Sequence, residues 1–368
     1  MRPIADGHTA GGRLRYRAGA AAVLLASFAW GAAGARAADL TVNGVLAAPA
    51  QVTSVAASEG MQAWAAPSGA GHRFAVVLRR AGHNRVLGAT SAVGWIDSVK
   101  LGTDSRGRSI VVYSRCPHDP FASAPAGEAG TDGCRLWWAS TSAGLARPIA
   151  AAPADSSIGA AAGGLVTFAV QANSGHPRQA VRLERATLAG RNARALVVPA
   201  ASGATIDDIG LSGSSIAFSE AGLTANPREG FSEIWLERAG LPPAMIARVL
   251  SDAQPVDNAE RFFQGLTLTP SALYAFLYSQ SGVFPATHSL LERISLPGLE
   301  TSTATWAPLS PLSGLGLHSE AYDPSDGRLT LGLFTQLVDF SSPASICSVR
   351  PSSDRACPVL QTAPAVFG

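Results

Sequence analysis

Short apolar runs, each too brief for a stable helix, alternate along this chain with clusters of glycine, proline, serine and aspartate, which is the pattern of meandering β-strands. One cassette recurs six times after residue 50. An aromatic-small pair closes an apolar run, a second apolar run follows, and then a glycine. The pairs are Trp64-Ala65, Tyr113-Ser114, Phe168-Ala169, Phe218-Ser219, Tyr278-Ser279 and Phe334-Thr335, roughly 50 to 60 residues apart. Each unit resolves into four runs. The first runs cover residues 52–57, 96–102, 158–162, 206–211, 262–269 and 315–322, and end at turns such as Ser58-Glu59-Gly60 and Ser212-Gly213-Ser214. The third runs repeat a Leu-Glu-Arg core at Leu183, Leu236 and Leu291, and their alternating charges suit outer strands that touch water.

Six four-stranded units bury both sheet faces only by closing into a ring, so the pattern predicts an all-β, six-bladed β-propeller over residues 51–368. Residues 40–46 supply a candidate strand that latches the ring onto the last blade. Seven blades, or a pair of sandwiches, are the rival architectures.

An address label precedes the repeats. Arg13, Arg15 and Arg17 lead into an apolar stretch, 18–33, and Ala35-Arg36-Ala37 offers the small residues of a cleavage site. The stretch is shorter than the roughly 20 residues of a membrane span. Residues 1–37 therefore read as a secretory signal, with an uncleaved anchor as the alternative. They carry five arginines and one aspartate, so their loss takes the formal net charge from +2 to −2. A near-neutral exported domain, monomeric and without a membrane span once cleaved, has no electrostatic draw to nucleic acid. Secreted, extracellular or periplasmic location follows.

Four cysteines fall into two local pairs, Cys116 with Cys134 and Cys347 with Cys357, and each pair closes one hairpin if it forms a disulfide. A metal site or a nucleophile is the rival reading. Neither finds partners: there is no C-x-x-C, no H-E-x-x-H and no G-x-S-x-G, and the histidines are scattered, so no metal or cofactor is expected.

Asp323-Pro324-Ser325-Asp326-Gly327-Arg328-Leu329 resembles the turn and following strand of the TolB-like, WD-repeat-like β-propellers of exported bacterial proteins. The stretches Arg108 to Cys116 and Cys134-Arg135-Leu136-Trp137 resemble the same unit. The resemblance implies a scaffold for binding a protein or ligand.

Loop lengths locate the expected site. Connections between second and third runs are long, at 117–133, 171–179, 220–232, 280–289 and 336–344, and in a meander they share one face. The expected function is non-catalytic binding of a protein or cell-envelope component there, with Arg115, His118, Asp119, Glu220, Arg228 and Gln280 as contacts. The alternative is a secreted propeller hydrolase or lyase acting on glycans or small molecules. It would use carboxylates near the starts of the inner runs, namely Asp97, Asp207, Asp208 and Glu260. Trp137-Trp138, on opposite faces of a strand, offer one ring to the core and one for carbohydrate stacking.

Overall fold

The computed structural model describes residues 40–42, 45–47, 54–67, 74–89, 94–117, 133–142, 145–170, 181–190, 194–196, 204–226, 229–238, 241–252, 260–280, 288–304, 315–335 and 345–349. The chain divides into two compact units, Met1–Ala33 and Gly34–Gly368. The first, with the rest of the proposed signal, lies outside the described residues. No helix among the described residues is long and apolar enough to cross a membrane.

The described residues form strands throughout. A short hairpin of β1 (Leu40–Val42) and β2 (Val45–Ala47) pairs with itself. Four-stranded antiparallel sheets follow in sequence order. The first holds β3 (Ser54–Ser58), β4 (Met61–Pro67), β5 (Phe74–Arg80) and β6 (His83–Ala89), and the second β7 (Val99–Thr103), β8 (Ser109–Arg115), β9 (Arg135–Ser140) and β10 (Ala146–Pro148). The third holds β11 (Ile158–Ala162), β12 (Leu165–Val170), β13 (Arg182–Thr187) and β14 (Arg194–Leu196). The fourth holds β15 (Thr205–Ser212), β16 (Ser215–Leu223), β17 (Glu229–Glu237) and β18 (Ala244–Asp252), and the fifth β19 (Glu260–Leu268), β20 (Ala272–Gln280), β21 (His288–Ser295) and β22 (Thr301–Ala304). A three-stranded sheet closes the order with β23 (Leu315–Asp323), β24 (Arg328–Thr335) and β25 (Ser345–Val349).

This is a β-propeller arrangement with five four-stranded blades where six were expected. The sixth expected unit has three strands among the described residues. The run expected to complete it, 358–361, lies outside them.

The aromatic-small cassettes serve the core, as their place at the end of second strands requires. Trp64, Tyr113, Phe168 and Phe218 are fully buried and Tyr278 nearly so. Apolar clusters lie between neighbouring sheets: one joins Ala63, Val76 and Leu78 of the first sheet to Val99, Val111 and Tyr113 of the second. The next joins Ile110, Val112 and Leu136 of the second to Val166 and Phe168 of the third. Burying both faces of each sheet is the main source of stability, at roughly 25 cal/mol per Å² of apolar surface.

Side chains also hydrogen-bond from sheet to sheet. Val99 N–H donates to Ser54 Oγ (3.0 Å) and Ser98 Oγ–H to the Ser157 carbonyl (2.6 Å). Arg185 Nη2 reaches the Ser214 carbonyl (2.9 Å), Phe263 N–H donates to Ser232 Oγ (3.0 Å), and Thr267 Oγ1–H donates to the Tyr322 carbonyl (3.1 Å). The last sheet meets the first where Gly60 N–H donates to Asp323 Oδ2 (2.7 Å), and β23 packs on β3. Asp323, first residue of the turn that carries the family resemblance, also accepts Ser325 N–H and Oγ–H through Oδ1.

Candidate functional site

All six first strands converge on one cavity of about 310 Å³, lined by those strands, by the turns that follow some of them, and by Met61 and Ser109 at the starts of β4 and β8. Val55 to Glu59, Lys100 to Thr103, Ala160 to Ala162, Ile209 to Gly213, Gly265 to Leu268, and Glu320 with Ala321 surround it. It therefore lies at the short-turn end of the ring, opposite the long loops. Close approach of the strands explains the small residues here. A Cβ on Gly102 would run into the Ala161 carbonyl oxygen, and one on Gly265 would lie 2.7 Å from that of Glu320.

The cavity holds the chain's single lysine. Lys100 Nζ lies 2.6 Å from Asp208 Oδ1 and 2.8 Å from Oδ2, and 3.3 Å from the Leu266 carbonyl. Asp208 in turn accepts Ile209 N–H on Oδ1 (2.8 Å) and Leu266 N–H on Oδ2 (2.6 Å). The pair ties β7 to β15 and β19, reaching past β11. Two irregularities make this possible. A bulge between Ile206 and Asp208 shifts the alternation of β15, and a second between Gln264 and Thr267, with Gly265 at φ +63°, turns the Leu266 amide and carbonyl toward the pair. A buried carboxylate with a cation and two amides is fully answered.

The expected carboxylates do not gather in this cavity. None of Asp97, Asp207 and Asp208 is among its lining residues; Asp208 is braced as described, and the acids that line the cavity are Glu59 and Glu320. Asp97 is buried in the strand link, its N–H on Ser114 Oγ (2.9 Å), while Asp207 accepts Thr205 Oγ1–H (3.2 Å). The Glu260 side chain lies outside the described residues. No group of three or more His, Cys, Asp or Glu residues among the described residues is placed to hold a metal ion.

At the long-loop end, residues 118–132, 171–180, 281–287 and 336–344 lie outside the described residues. The long loop expected at 220–232 is instead a hairpin with a connection of only 224–228, because β16 runs on to Leu223 and β17 begins at Glu229. The β8–β9 connection is closed at its base by the Cys116–Cys134 disulfide. Trp95 pairs with Cys116 by two backbone hydrogen bonds, so the base is anchored on both sides. Cys347 lies on β25, and its expected partner Cys357 lies outside the described residues, as do His118, Asp119 and Arg228. Gln280 ends β20 opposite Glu260.

Arg115 is not a free rim contact. Its guanidinium stacks on Trp137 at 4.0 Å and its Nη2 donates to Tyr113 Oη (3.0 Å), against Gly88 of the neighbouring sheet. Burial pushes the Tyr113 phenol up, with Arg115 opposing. The two tryptophans also depart from expectation. Trp137 packs against the cluster between the first and second sheets and Trp138 against that between the second and third, under Arg147. Opposite faces of a blade are both interior, so neither ring is a free stacking platform.

Glu220 is 1% exposed and sits opposite Glu233 across β16 and β17. Burial first, and then the Glu233 charge, push its carboxyl up to about 7. Sequence spacing placed Glu220 on the rim. The structure turns it inward, beside a second acid that nothing in the spacing singled out. The Leu-Glu-Arg motif likewise hid a role: Arg185 caps Ser214 of the next sheet, and Arg238 donates to the Leu296 carbonyl of the next. Its recurrence at one register was the available signal.

No family model matches this chain, and no curated protein matches it in sequence. Solved structures similar to it are β-propeller proteins. The β-propeller domain of the trilobed protease from Pyrococcus furiosus aligns over 86% of this chain and 99% of its own, with TM-score 0.48 and 7% identity. Uncomplexed acylaminoacyl peptidase from Pyrococcus horikoshii aligns over 85% of this chain and 53% of its own, with TM-score 0.47 and 9% identity. This chain thus spans about half the length of that peptidase.

Proposed function

We propose that this protein is an exported, non-catalytic β-propeller that binds a protein or cell-envelope component through the long loops on one face. The observation that carries the binding reading is the asymmetry of the ring. At one end every first strand turns back within a few residues, and Asp208 beside it is paired with Lys100. At the other, the sequence between β8 and β9 is long, and its base is fixed by the Cys116–Cys134 disulfide and the stacked Arg115. Holding loop bases rigid lowers the entropy lost on binding, which favours recognition. The TolB-like turn and the secretory signal pattern support an envelope setting. The alternative, a propeller enzyme, draws on carboxylates from separate strands, of which Asp208 is engaged by Lys100.

The test is retention of an envelope component on the immobilised propeller, followed by titration of that purified component. Replacing residues 118–132 by a short Gly-Ser linker, with the disulfide kept, is expected to weaken binding at least about tenfold. Unchanged affinity of that variant overturns the reading.

A further inference from the structure

The β16–β17 hairpin buries two carboxyl groups side by side. Glu220 and Glu233 are direct cross-strand partners, 1% and 7% exposed, three register pairs from the hairpin's last pair, Leu223 with Gly230. Glu233 is compensated: Trp235 Nε1–H donates to its Oε2 (3.1 Å), and Arg248 Nε on β18 lies 3.3 Å from its Oε1. Glu220 has hydrogen bonding from Trp235 and Glu233 but no cation, and its Oε2 is buried without a hydrogen-bond partner.

The charged groups on the packed elements do not supply a cation to Glu220. From β15 comes Asp207, another acid, and from β17 come Glu233 and, at its first residue, Glu229. Arg248 is engaged by Glu233. β19 packs on β17 through the Phe263–Ser232 hydrogen bond and brings Arg261, whose field acts on Glu292. β11 and β12 carry no ionisable residue. Two facing carboxyls in such a setting cannot both ionise at ordinary cost, and Glu220, the one without a cation, is the one that keeps a proton.

We propose that Glu220 and Glu233 form a proton-dependent clasp that makes the long-loop end of the fourth blade pH-sensitive. With the proton in place, the two carboxyls hydrogen-bond across the hairpin and hold β16 to β17. When the proton leaves to solvent, two buried negative charges face each other. The short stretch between the pair and the loop is the part free to open and admit water. Burial and the Glu233 charge set the Glu220 transition near neutrality, with hydrogen bonds and Asp207 as smaller influences. The clasp is a property of the fold and does not rest on the binding reading.

Amide hydrogen exchange of the whole protein, corrected for intrinsic rates, tests it. Protection of residues 220–223 and 230–233 is expected to fall by up to about tenfold per pH unit between about pH 5 and pH 7 and to level off above, because between the ordinary carboxylate range and the raised Glu220 value the opened hairpin releases a proton that the closed one keeps. The core of β12 should not change. Glu220→Gln, which keeps a donor but cannot ionise, should flatten the profile. A flat profile in the unsubstituted protein, or the same fall in Glu220→Gln, overturns the clasp. Should that variant fail to fold, the carboxyl ¹³C titration of Glu220 in the unsubstituted protein decides: a midpoint near neutrality supports the clasp, and one in the ordinary carboxylate range overturns it.

Discussion

Two buried acids on the same blade, Asp208 and Glu220, have been treated in opposite ways by the fold. Asp208, midway along the first strand β15, receives an ammonium and two backbone amides. Glu220, at the long-loop end, receives a neighbouring carboxyl and leaves one oxygen unanswered. The first arrangement fixes strands in place. The second costs stability once ionised, and such costs concentrate where a surface is used rather than merely packed.

The contrast can be broken most severely at the axis. Gly102→Val would force a side chain into the Ala161 carbonyl, so loss of folding or more than about 4 kcal/mol is expected in chemical denaturation. Gly213→Ala, at a turn tip with φ +57° and open space around it, should cost only about 1 kcal/mol. Asp208→Ala leaves Lys100 without its counter-ion and should cost about 3 to 5 kcal/mol. Replacing Cys116 and Cys134 by alanine releases a closure of 18 residues and should cost about 3 kcal/mol by the same measurement.

Glu220→Gln should act in the opposite direction. The folded carboxyl titrates near 7, above its ordinary 4.5. Folded protein therefore keeps a proton that unfolded protein has lost between those values. The penalty is absent below about pH 4.5, grows as pH rises, and is complete above about 7. At pH 8 the variant should be more stable by up to about 3 kcal/mol, with no gain at pH 4. Equal gains at both pH values would mean that repacking, not ionisation, is responsible.

The large elements were legible because their causes are periodic. Tyr113 and Phe218 are buried at the ends of second strands because alternation and turn chemistry leave them no other place. The Cys116–Cys134 pairing followed from local spacing in the same way. Sites were less legible because they depend on irregularities. Bulges in β15 and β19 decide where Asp208 and Leu266 point, and a one-residue insertion leaves no trace in a hydrophobic pattern. The role of Lys100 leaves no mark in the sequence, since its partner Asp208 lies on another blade. Arg115 was placed on the rim, yet two aromatic rings from its own sheet hold it down. Trp137 and Trp138 could be assigned to opposite faces, but not to two interiors without knowing that a sheet lies on each side.

The most direct test of the functional account places one photo-crosslinking residue at each end of the same blade. Asn226 is exposed in the β16–β17 connection and Ser214 in the β15–β16 turn. With the envelope component bound, crosslinks are expected from position 226 and not from position 214. Crosslinks from 214 alone would contradict the account and move the site to the axial cavity.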